Sequence, residues 1–278
     1  MKRNLFSSQK PPHRNISLEI FIKTGLFSLS VLVLGILAVR YFSGQVESIA
    51  VFQEQSERKL PIYCVDCPEK KAALSFDAAW GAEDTDEILS ILKKHNVHVT
   101  FFMTGGWVSS YPDVVKKLKE AGHDLGNHSE NHKQMSQLSL EDCKKEIQSV
   151  HDRVKELTGT EMCLFRPPYG DYNNTLIEAA NSLGYHAIQW DVDSLDWKDY
   201  GVDSIVNTVL NHKHLGNGSI ILCHNGAKYT AKALDALITG LKDKGYELVK
   251  ISDLIYKENY KMDVEGRQFE IQKDGKIQ

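Results

Sequence analysis

From Lys71 onward, short runs of apolar and β-branched residues alternate with amphipathic stretches of helical period. That alternation is the pattern of strand-helix units wound around a parallel sheet. Strands are predicted at 72–76, 99–103, 124–127, 163–166, 186–191, 219–223 and 247–250. Helices are predicted between them at 85–95, 112–121, 140–157, 173–183, 202–211 and 231–244. Gly122, Gly159, Gly184 and Gly245 sit near four helix ends, where C-cap residues belong. Consecutive units of this kind close into an α/β barrel more readily than they lie flat, and the C-terminal ends of such strands carry the chemistry.

Ahead of the alternation lies an uncharged run, 24–39, preceded by Lys2, Arg3, Lys10, Arg14 and Lys23. Taken from 20 to 42, with Lys23 and Arg40 reaching toward headgroups, it has the ~20 residues needed to cross ~30 Å of hydrocarbon. Basic residues on its N-terminal side place 1–23 in the cytoplasm and everything after the span outside. Arg40, Tyr41 and Phe42 stand where a cleavable signal would carry small residues, so an uncleaved single-pass anchor over 24–43 is expected at the cell membrane. The remaining organisation reads as a polar stalk at 44–70, one domain at 71–256, and a charged tail at 257–278 that is a short hairpin or a loose end.

A chain of 278 residues can bury one sizeable core. Its net charge of -4 offers no basic field for a phosphate backbone, which excludes nucleic acid as the expected partner. Five cysteines are an odd and sparse set, not a disulfide scaffold. Cys64 and Cys67 form the single C-x-x-C pair and leave a thiol redox loop as a minor alternative.

Titratable residues recur at the ends of the predicted strands: Asp77, His128 with His132, Arg166, Asp193 with Asp196, and His224. Singly, each has an ordinary explanation. Asp77 reads as a helix N-cap or loop carboxylate, Arg166 as a surface cation, His224 as a satisfied core histidine. Converging at one barrel mouth, they make an active-site hypothesis. The H-x-x-x-H spacing of His128 and His132 places two imidazoles on one face of a helical turn and suits a divalent metal.

In order along the chain, Ser75-Phe76-Asp77-Ala78-Ala79-Trp80, His128-Ser129-Glu130-Asn131-His132, Arg166-Pro167-Pro168-Tyr169, Asp193-Ser194-Leu195-Asp196-Trp197 and Leu222-Cys223-His224 resemble the five motifs of the polysaccharide deacetylase family. The resemblance covers about residues 71 to 255. It implies a distorted seven-stranded (β/α) barrel, the NodB-homology domain, here preceded by one N-terminal transmembrane helix. It also implies metal-assisted hydrolysis of an N-acetyl amide. Carried over by position, Asp77 is the general base, Arg166 its partner, His224 the general acid and Asp196 the residue that holds His224 protonated. Tyr169 offers its backbone N–H to the oxyanion, and Trp197 and Leu222 wall the acetyl pocket. His128 and His132 are the metal ligands, for zinc or cobalt.

One position departs from the family pattern. Where the first motif has a second, metal-binding aspartate, this chain has Ala78, which weakens the expected metal site. The string Phe76-Asp77-Ala78-Ala79-Trp80-Gly81 is similar to the PdaB-like deacetylases of endospore-forming bacteria. That subgroup implies a peptidoglycan substrate, a role in the spore cortex, and a forespore or spore-envelope location. The alternative is a binding protein on the same barrel, gripping glycan through Trp80, Trp197 and Tyr169 without turnover.

Overall fold

The structure is a computed structural model that describes residues 23, 26, 27, 29–40 and 58–271. The chain divides into two compact units, Met1–Glu57 and Arg58–Gln278. In the first, residues 29–40 are helical with exposed apolar side chains. Among the described residues no helix is long and apolar enough to cross a membrane. The continuous stretch 29–40 is only ~18 Å long at ~1.5 Å per residue, so the expected span finds no support there. Most of the basic N-terminus, the flanks of the apolar run and 44–57 of the expected stalk lie outside the described residues.

The second unit contains strands β1 (Cys64–Val65), β2 (Lys71–Ala78), β3 (Thr100–Met103), β4 (Asp124–Asn127), β5 (Leu164–Phe165), β6 (His186–Ala187), β7 (Val192–Asp193), β8 (Ser219–His224), β9 (Glu247–Leu248), β10 (Tyr260–Met262) and β11 (Arg267–Glu270). Its helices are α1 (Thr85–Lys94), α2 (Gly105–Ser110), α3 (Pro112–Glu120), α4 (Leu140–Thr158), α5 (Asn174–Ser182), α6 (Val202–Leu210), α7 (Thr230–Asp243) and α8 (Ile251–Leu254). From β8 through β2, β3, β4 and β5 to β6 the strands run parallel, and β7 lies parallel to β8.

Side-chain alternation along β2 explains how the sheet is covered. Leu74, Phe76 and Ala78 enter the core between sheet and helices with Phe101 and Met103. Ala73 enters the inner core with Phe102, Ile188 and Ile220. Ser75 and Asp77 share the parity of Ala73 and so belong to the inner face. Helix ends follow the sequence signals closely. In α4, Ser139 caps the N-terminus by accepting from the Asp142 N–H at 3.2 Å, and Gly159 closes the helix in the left-handed region at φ 69°.

The expected closed barrel is instead an open half-barrel. The predicted strand at 186–191 is reduced to β6, and β7 follows just beyond it without pairing with β6. Ile62 fills the gap: its N–H donates to Ala187 O at 2.8 Å and its carbonyl accepts from Gln189 N–H at 2.7 Å. Next to it, β1 pairs antiparallel with β8. The segment from Arg58, read from sequence as stalk, therefore belongs to the globular unit, where its apolar residues Ile62 and Val65 are buried. Of the tail, β10 and β11 form a hairpin, and β11 joins β1 in parallel.

Candidate active site

Asp77 is the penultimate residue of β2 and His224 ends β8, and the two are register partners on adjacent parallel strands. Each is held by a dedicated partner. The Arg166 Nη1 donates to Asp77 Oδ1 at 2.8 Å, with Arg166 fully buried and Asp77 nearly so. Arg166 is itself cradled: Nη2 donates to Ser75 Oγ at 2.8 Å and to Gln189 O at 3.2 Å, and the guanidinium lies 4.1 Å from the Phe102 ring centroid. Burial alone would push the Asp77 carboxyl up, but the charges of Arg166, His128 and His224, with the Arg166 hydrogen bond, bring it below its ordinary value. Asp77 is thus a buried carboxylate held in its ionised form.

His224 is built the other way. Its Nδ1 lies 2.7 Å from Asp196 Oδ1, and its backbone N–H donates to Asp196 Oδ2 at 2.7 Å. Thr230 Oγ1 donates to the same Oδ2 at 2.6 Å, so the two oxygens of the buried Asp196 are met by three donors, two of them from His224. Burial alone would lower the imidazole pKa, but the hydrogen bond and charge of Asp196 outweigh it and raise His224 above its ordinary value. Trp80 stacks on the His224 ring at a centroid distance of 5.8 Å, leaving half of the indole exposed.

His128 and His132 lie in a loop, not on the helical turn that their spacing suggested. Ser129 and His132 have φ of 66° and 52°, in the left-handed region, which a helix cannot accommodate. The loop still brings the rings together, with centroids 4.9 Å apart, and sets His132 against Tyr169 at 4.5 Å. The Arg166 carbonyl accepts at 2.7 Å from His128 Nδ1, which therefore carries the proton and leaves the Nε2 lone pair free, 3.5 Å from Asp77 Oδ2. Burial, reinforced by the charges of His132 and Arg166, lowers His128 to about 4, and burial also lowers His132. Both rings are neutral at pH 7, the form that ligates metal.

Two imidazoles are one short of the three protein ligands of a catalytic zinc. Ala78 is a fully buried methyl, and among the described residues no group of three His, Cys, Asp or Glu side chains is placed to hold a metal ion. The donor set thus does not fit a three-ligand site.

Around the mouth, Tyr169 and Trp197 are exposed while Leu222 is buried at the inner face of β8. Tyr169 sits in a tight turn with φ 59°. The redox alternative fares poorly. Cys64 and Cys67 are free thiols, and burial followed by the charge of Asp191 pushes Cys64 up to about 12.

Sequence reasoning missed the partners that hold the site. Gln189 on Arg166 and Thr230 on Asp196 carry no spacing signal, because the first lies between β6 and β7 and the second opens α7. Ser75 alone had a pointer: it precedes Asp77 by two residues and so shares its face of β2.

The chain matches the polysaccharide deacetylase family over residues 65–188. It is 32% identical to the peptidoglycan-N-acetylmuramic acid deacetylase PdaA of Bacillus subtilis, over 72% of this chain and 77% of that protein. It is 37% identical to the peptidoglycan-N-acetylmuramic acid deacetylase PdaC of the same organism over 68% of this chain, but spans only 40% of PdaC. Among solved structures it resembles BA3943 of Bacillus anthracis, a CE4 family pseudoenzyme, with a TM-score of 0.68 and 33% identity over 71% of this chain and 69% of that one. A BA3943 mutant is described as having restored enzymatic activity.

Proposed function

The chain belongs to the polysaccharide deacetylase family, and from that premise we propose that it removes acetyl groups from N-acetylated peptidoglycan sugars. One observation carries this reading: a carboxylate with a lowered pKa and an imidazole with a raised one, Asp77 and His224, stand side by side as register partners at the C-terminal ends of adjacent strands. Their opposite pKa displacements assign the roles. Asp77 takes a proton from a water molecule as its oxygen bonds to the acetyl carbonyl carbon. The oxyanion so formed would be stabilised by the Tyr169 backbone N–H. When the carbon–nitrogen bond breaks, His224 gives its proton to the departing amine, and acetate and a free amino sugar leave. Trp80, Trp197 and Leu222 shape the pocket for the sugar and the acetyl methyl.

Deacetylases of this family are generally metal-dependent. A zinc or cobalt ion in this chain would rest on His128 and His132 alone, because Ala78 supplies no donor. That same observation favours a second reading, a glycan-binding protein without turnover, which has a parallel in the pseudoenzyme relative.

The uncharged run at 24–39 and its basic flank support a single-pass anchor with the globular unit outside the cell membrane. The Phe76-Asp77-Ala78-Ala79-Trp80-Gly81 string supports a role in the spore cortex, at the forespore or spore envelope.

Acetate released from N-acetylated peptidoglycan fragments by the full-length chain, before and after chelation and with zinc or cobalt restored, tests the enzyme reading. Release that disappears in Asp77→Asn supports it. Glycan binding without acetate release under every metal condition replaces it with the binding reading.

A further inference from the structure

Of the three residues between His128 and His132, Ser129 accepts at its Oγ from the His132 N–H at 3.0 Å, while Glu130 and Asn131 are tied to one face of α4. Glu130 accepts from Arg153 Nη1 and Nη2 at 3.0 Å each, and from Ser149 Oγ at 2.9 Å. Asn131 donates twice to Glu146: its backbone N–H to Oε2 and its side-chain Nδ2 to Oε1, both at 2.8 Å. Lys133 Nζ adds an ion pair to Glu146 Oε1 at 2.9 Å.

Glu146 is the exception on its helix. It is buried, on the face that carries Cys143, Ile147, Val150 and Val154 into the core. A carboxylate at such a position is costly unless its oxygens are fully engaged. Here both oxygens are engaged by the residue adjoining His132, and that residue stands between two left-handed ones, Ser129 and His132. Left-handed backbone at non-glycine residues is strained and persists only where surrounding structure holds it.

We propose that Glu146 is the positioning residue for His132: its two hydrogen bonds from Asn131 hold the left-handed turn that sets the His132 imidazole between His128 and Tyr169. Helix α4 thus serves as the jig for the histidine pair. This deepens the reading of His132 as part of the mouth and rests on it. The function is geometric, since it requires complementary donors and acceptors at 131 and 146, whichever residue carries the charge.

That requirement sets the experiment. In the full-length chain, labelled with ¹⁵N and held in detergent, the imidazole resonances of His132 and hydrogen exchange at the residue-131 amide are compared across three variants. Asn131→Asp sets carboxylate against carboxylate. The expected result is displaced His132 resonances and an amide that exchanges about tenfold faster or more. Glu146→Gln alone keeps the pairing, since the new amide accepts the backbone N–H and the Asn131 amide turns to accept from it. His132 then stays at its wild-type resonances. Combining Asn131→Asp with Glu146→Gln restores complementarity, and both readouts return to wild type.

Unmoved His132 resonances in Asn131→Asp, accompanied by a fall in melting temperature, would reduce Glu146 to a packing residue and overturn the proposal. So would a combined variant that fails to restore them. If Asn131→Asp alone does not fold, a folded combined variant with wild-type His132 resonances supports the proposal, and an unfolded one overturns it. Because the readout is the imidazole and not acetate, loss of the deacetylase reading leaves this test intact.

Discussion

On one side of the mouth, Asp77 and His224 each have a buried partner of opposite charge, and those partners have partners of their own in Ser75, Gln189 and Thr230. On the other side, His128 and His132 are neutral, and the position of the family's second aspartate is the buried Ala78, which offers no donor. The Asp77–His224 half is fully hydrogen-bonded, whereas the histidine pair offers two nitrogens on a loop with left-handed residues. This contrast locates the weak point of the site. On the deacetylase reading, acid and base would be in place, and activation of the carbonyl would be what the missing donor limits.

The comparison breaks most sharply if its strong half is dismantled. Asp77→Asn is expected to lower acetate release about 10²–10⁴-fold, the range general base catalysis supplies. Arg166→Met leaves Asp77 buried and unpaired, so denaturant unfolding should show a loss of about 3–5 kcal/mol. A stability loss near zero would mean that Asp77 is not held ionised by Arg166.

Next in size is repair of the weak half. Ala78→Asp is expected to raise zinc affinity by about tenfold or more in calorimetry, as a third donor joins the histidines. Without metal the same change buries an unpaired carboxylate at a costs-only position, lowering stability by about 1–3 kcal/mol. Zinc should reverse that loss, making the melting temperature metal-dependent. A melting temperature indifferent to zinc would show that the position is not part of a metal site.

A pH profile sharpens the acid half. Because Asp196 raises His224, the acid stays protonated to a higher pH than a free imidazole, and the alkaline limb of activity lies above the ordinary histidine range. Asp196→Asn should move that limb to lower pH while the acidic limb, set by Asp77, stays. The sign for stability agrees. With its folded pKa raised, His224 contributes fully below the unfolded value, and that contribution is lost as pH rises through the folded one. Asp77, with its folded pKa depressed, contributes above its unfolded value and loses that contribution as pH falls through the folded one.

The smallest expected effect is at the rim. Trp80→Ala removes a half-exposed indole stacked on His224, and should weaken glycan binding by about 0.5–1.5 kcal/mol in titration without unfolding the chain.

Much of the frame was legible in the sequence. The predicted helix at 140–157 is α4 within a residue, because its cap, its apolar stripe and Gly159 are local signals. Strands β2, β3, β4 and β8 fall where apolar runs end in polar residues. The short helix α2 and strand β1 escaped notice, as six and two residues leave no measurable period. The H-x-x-x-H spacing suggested a helical turn, and the loop that replaced it is fixed by α4, which lies beyond the reach of any local pattern.

The sequence by itself determined the alternation of strands and helices, the motif order and which residue types end each strand. These follow from side-chain burial along one element, which is written locally. Only the tertiary structure decided that Asp77 and His224 stand side by side, that Ile62 fills the gap beside β6, and that Thr230 reaches Asp196. Such pairings join residues far apart in the chain, and they are selected by the packing of the whole sheet, which no short stretch of sequence records.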